Sequence, residues 1–81
     1  MTQEPPGSRI PEFTLADRLR KVRELTGLDQ EAFGAKIDVS RQTVSTYELG
    51  LRKPRRIVLK AWATAGGVAL EWIETGHAER P

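Results

Sequence analysis

The apolar positions of this chain recur at helical spacing, in short runs separated by capping and stop residues. Leu15, Leu19 and Val22 repeat on one helical face. Thr14 can cap that helix, with Asp17 three residues on as a form of the capping box, and Gly27 suits its left-handed stop. A first helix is predicted over roughly 15–26. Asp29 caps a second helix, with Glu31 favourable at its positive end and an apolar face of Ala32, Phe33 and Ile37. Ser40 caps a third, which runs to Leu49 and stops at Gly50. Pro54 opens the approach to a fourth, where Leu59, Trp62 and Ala63 share one stripe and Gly66-Gly67 ends the run. "VALEWIETG" predicts a short fifth helix, stopped by Gly76. No stretch alternates as a strand would, and "IVLKAW" reads as helical from its length and neighbours. The expectation is an all-α domain over 14–76, between an extended proline-rich arm at 1–13 and a tail at 77–81.

Composition narrows the chemistry. With 81 residues, 38% of them hydrophobic, the chain can bury a modest core. It has no cysteine, so disulfides and thiolate metal sites are excluded. Its one histidine, His77, falls in the polar tail, where solvation is the expected state. No metal, cofactor or catalytic residue is predicted: paired carboxylates with a cleft are not in view, and Asp17 and Glu24 read as helix-surface charge. No apolar run approaches ~18 residues, and the first residues lack a signal-peptide stretch, so the expected location is the cytoplasm, away from any membrane.

Charge changes the picture. The net value is only +2, but six basic residues lie within 40–60 (Arg41, Arg52, Lys53, Arg55, Arg56, Lys60) against a single acid, Glu48. Acids gather elsewhere, at Glu71, Glu74 and Glu79. A local basic patch beside a near-neutral remainder is the footprint of an anionic partner, although a solvated loop would carry the same charges.

The second and third helices are joined by only "DVS". So short a link makes them cross steeply, as in a helix-turn-helix. Gly34 inside the second helix costs roughly 1 kcal/mol relative to Ala, and close approach of the third helix would account for it. On a wheel of about 100° per residue with Arg41 at zero, Ser45 lies near 40°, Leu49 near 80°, Gln42 near 100° and Thr46 near 140°. Val44 and Tyr47 fall on the opposite, core-facing side, and Glu48, near 340°, on the border between core and solvent. Arg suits guanine O6/N7, Gln suits adenine N6/N7, Ser and Thr bond flexibly, and Leu49 could meet a thymine methyl.

"LDQEAFGAKIDVSRQTVSTYELG", residues 28–50, resembles the helix-turn-helix of the phage repressor and Cro (Xre-like) superfamily. The likeness runs from about Leu15 to Gly76, carried by "RELTGLDQ", "VSRQTVSTYELG" and "GVALEWIETG". It implies a compact five-helix, lambda-repressor-like DNA-binding domain. It implies base-reading positions at Arg41, Gln42, Ser45 and Thr46, and phosphate contacts at Gln30, Ser40, Arg52, Lys53, Arg55 and Arg56. Arg23 and Glu48 would form a partly buried ion pair tying the first helix to the third. The implied partner is an operator in double-stranded DNA, with two copies on its half-sites; the small apolar surface left on the fifth helix predicts a monomer or a weak homodimer in free solution, with pairing completed on DNA. Gly66 departs from the pattern: it stands where leucine is common, leaving a gap for Trp62 or Trp72 to fill. Trp72 is expected in the core, with one or two of Val68, Leu70 and Ile73 left exposed on the fifth helix. Arg9, in the arm, is expected to be loose.

The sequence is best read as a sequence-specific regulator of phage or prophage type. Two alternatives stay open: an antitoxin that regulates its own toxin pair with the same DNA-binding core, and a protein-binding helical module with no DNA partner.

Overall fold

A computed structural model describes residues 13–77. The chain forms five α-helices in the order α1 (Leu15–Thr26), α2 (Gln30–Ile37), α3 (Arg41–Glu48), α4 (Arg56–Gly66) and α5 (Leu70–Thr75), with no strand among the described residues. The expected arm at 1–12, with Arg9, and the expected tail at 78–81 lie outside them.

Local chemistry sets the helix ends. Thr14 and Asp17 complete a reciprocal capping box, each side chain accepting the other's backbone N–H at 3.1 Å. Those Thr14 bonds hold the Asp17 carboxyl below its usual range. Asp29 accepts from Ala32 N at 2.8 Å, and Ser40 accepts from Thr43 N at 3.1 Å. α2 ends without glycine: Asp38 takes the left-handed turn itself, at φ 63°, a conformation its short polar side chain tolerates. α3 closes with paired bonds from Gly50 N to Tyr47 O and Leu51 N to Thr46 O, both 3.1 Å, which places Gly50 at φ 74°.

Trp62 of α4 is the centre of the core. Fully buried, it donates its indole N–H to the Leu19 carbonyl of α1 at 2.9 Å. Its ring lies 4.9 Å from Phe33 of α2 and 6.4 Å from Tyr47 of α3. Leu19, Val22, Val44, Leu59, Ala63 and Ile73 complete the buried cluster. One residue thus ties four helices together, and α5 closes the group through Ile73.

Four expectations need correction. Ala32 is exposed, so Phe33 and Ile37 alone carry the inner face of α2. No gap stands at Gly66: a Cβ there would lie 2.1 Å from Val22 Cγ1, so α1 already fills the space against α4. Ile73, not Trp72, is the fully buried residue of α5; Trp72, Val68 and Leu70 are all partly covered. Among the described residues the large exposed apolar side chains are Phe13, Leu25, Leu49, Leu51 and Ile57, none of them on that helix.

Arg18 holds α5 in place. Its Nε donates to Ile73 O at 2.7 Å and its Nη2 to Glu74 O at 3.3 Å, while Nη1 donates to Phe13 O. The last carbonyls of a helix have no partner within it, and a cation meets the negative end of its dipole. Six residues make a marginal helix alone. The arginine supplies from α1 what α5 cannot supply itself.

Candidate nucleic-acid interface

The turn between α2 and α3 aims the third helix. Val39 N donates to Gly34 O at 2.9 Å, folding the chain back over the end of α2. A Cβ at Gly34 would sit 2.6 Å from Val39 O and 3.3 Å from Val44 Cγ2. Glycine here admits both the turn and α3. With Val44 driven into the core, the opposite face of α3 must point outward.

That face carries Arg41 and Gln42 fully outward and Ser45 and Thr46 partly covered. Leu49, at its end, is 70% exposed. The Thr46 hydroxyl donates to Gln42 O at 2.9 Å, so Thr46 turns acceptor lone pairs and a methyl outward rather than a donor. The Ser40 hydroxyl donates to Thr43 Oγ1 at 2.9 Å while capping the helix. Its proton must leave Thr43 before it can serve another acceptor.

Arg52 returns to the same surface after the α3 stop. With Ser40, Gln42, Thr43, Thr46 and Tyr47 it lines a shallow depression of about 280 Å³. The wheel had turned Tyr47 wholly inward; it is half-buried, its ring edge-on to Trp62 and one side on this depression. Lys53 and Arg55 continue the exposed basic loop. Arg41, Arg52, Lys53 and Arg55 make no ion pair with any described residue. Arg56 differs: its Nε lies 3.5 Å from Glu74 Oε2, drawing it toward α5.

Beneath this face lies a charged clasp. Arg23 Nε donates to Glu48 Oε2 at 2.7 Å, its Nη2 to Glu48 Oε1 at 3.0 Å and its Nη1 to Leu28 O at 3.0 Å. Glu48 is buried at 6% exposure, deeper than the border position its wheel angle suggested. The paired carboxylate raises the Arg23 pKa further. Gln30, the first residue of α2, donates Nε2 to Glu48 Oε1 at 3.2 Å. Its partner lies 18 positions along the chain, which no local pattern reveals.

Among the described residues no group of three or more His, Cys, Asp or Glu could hold a metal ion. No helix there is long and apolar enough to cross a membrane.

The chain is similar in structure to the P22 c2 repressor, solved in complex with a synthetic operator. The TM-score is 0.76 at 23% identity, over 82% of this chain and all of that one. That likeness establishes the shared fold. No curated protein matches the chain in sequence. The sequence pattern of the helix-turn-helix family matches residues 19–73, which include the turn, α3, the basic loop and all of α4. The chain therefore belongs to the helix-turn-helix family of phage-repressor and Cro type.

Proposed function

We propose that this protein is a sequence-specific double-stranded DNA-binding transcriptional regulator of phage or prophage repressor or Cro type, working in the cytoplasm on an operator. The observation that carries the reading is the outer face of α3. Arg41 and Gln42 are exposed there, and it is ringed by cations that make no ion pair among the described residues.

In this reading α3 enters the major groove. Arg41 offers a bidentate donor to guanine, and Gln42 pairs with the N6/N7 edge of adenine. Ser45 and Thr46 bond to neighbouring edges, with Thr46 as acceptor because its proton is used. Gln30, Ser40, Arg52, Lys53, Arg55 and Arg56 hold backbone phosphates on either side, which fixes register without reading sequence. Two copies on half-sites about one helical turn apart would match a symmetric operator. That the P22 c2 repressor was solved on an operator supports the reading.

Selection of bound duplexes from a random pool tests it. The expected result is one recurrent motif, bound with an affinity that falls steeply with salt. Enrichment of no motif, or binding indifferent to salt, would overturn the proposal.

A further inference from the structure

We propose that Glu48 is a positioning residue for DNA contact as well as a clasp between helices, because its carboxylate holds the Gln30 amide at the edge of the interface. The inference rests on the DNA-binding reading and deepens it. The carboxylate has two oxygens and receives three donors: Arg23 Nε, Arg23 Nη2 and Gln30 Nε2. The arginine fork fixes the carboxylate from α1, and the carboxylate fixes the glutamine from α3. Nearly dry surroundings strengthen each link, since Glu48 and Arg23 side chains are 4% and 16% exposed.

Gln30 has two amide N–H groups, and Glu48 uses one. The other is used by no group among the described residues and belongs to a half-buried residue at the first turn of α2. There the helix end also favours an anion. A free glutamine would lose rotamer freedom on gripping a phosphate; this one has already lost it. The side chain that locks α1 to α3 therefore also pre-sets a phosphate donor on α2, and fold and affinity share one carboxylate.

A double-mutant cycle tests this with Gln30→Ala and Glu48→Gln. Glu48→Gln keeps the shape but leaves one acceptor oxygen for three donors, and the neutral glutamine is the donor most readily released. Binding is measured against salt at a temperature where circular dichroism shows every variant folded. Gln30→Ala alone should weaken binding about tenfold and leave the log–log salt slope near the parent's, because a neutral amide neutralises no phosphate. In the Glu48→Gln background it should add nothing. Losses that multiply would make Glu48 a structural residue only and overturn the proposal. A readout without DNA guards the result: slow solvent exchange of the Gln30 side-chain amide in the parent should be lost in Glu48→Gln, and unchanged exchange overturns the proposal too. A parent that binds no duplex overturns the regulator reading and this inference together; a parent that binds, with additive losses, overturns this inference alone.

Discussion

Arg41 and Gln42 stand in the first turn of α3, exposed and with no side-chain partner among the described residues. Replacing either by alanine should leave stability near the parent and remove ~1–3 kcal/mol at the preferred site, flattening preference at particular base pairs. Fluorescence anisotropy on the selected duplex and its single-base variants reads both effects. A variant with the full ratio of specific to non-specific affinity would strike that residue from the base readers. Arg55 serves the other purpose. Exposed at the N-cap of α4, it should act on phosphate alone, so Arg55→Ala should weaken all sequences about equally and lower the salt slope by about 0.9. Altered preference at an unchanged slope would contradict that role. These positions are legible in the sequence because exposure follows from helical spacing around Val44. What spacing cannot show is which charged or polar side chains have another partner. Arg56 meets Glu74, Gln30 meets Glu48, and Arg18 meets the end of α5, each across many positions of chain.

At the scale of elements, the turn between α2 and α3 governs the interface. Gly34→Ala should gain up to ~1 kcal/mol in helix propensity. It should lose more, since the new Cβ meets backbone at Val39 O at 2.6 Å, and such overpacking costs about 1–3 kcal/mol. Thermal unfolding should show a lower midpoint; a raised one would mean that the turn yields without strain. Glu48→Ala breaks the other link. It leaves Arg23 nearly buried and unpaired, at a cost of about 2–4 kcal/mol given the ~3–5 of full burial. In a domain of this size each kcal/mol moves the melting midpoint by roughly 4–8 °C, so a melt within a degree of the parent would show the pair to be idle. Helix positions are readable because Thr14, Asp29, Ser40 and the glycine stops announce them. Packing partners are less so. The sequence marks Gly66 as an absent leucine, but only the approach of Val22 shows that the space is taken. Ile73 and Trp72 are neighbours on a six-residue helix, and the crossing with α1 and α4 decides which one goes inward.

For the whole molecule, the question is how two copies would pair on the proposed operator. Among the described residues the large exposed apolar side chains are few: Leu49 and Leu51 flank the α3 stop, Phe13, Leu25 and Ile57 stand elsewhere along the chain, and α5 covers most of its own. A stable interface buries about 1,000 Å² or more. The free protein should therefore sediment as a monomer, or a weak dimer, at micromolar concentration, with pairing completed on DNA. A tight dimer there would require an interface built from residues other than these. The central claim, that the outer face of α3 reads a DNA sequence, is tested most directly by one ratio: affinity for the selected duplex over affinity for its scrambled counterpart, at ~150 mM salt, for the parent and for Gln42→Ala. The account predicts a parent ratio of about a thousandfold or more, reduced roughly ten- to a hundredfold by the substitution. A parent that binds both duplexes alike, or a variant that keeps the parent's ratio, would contradict it.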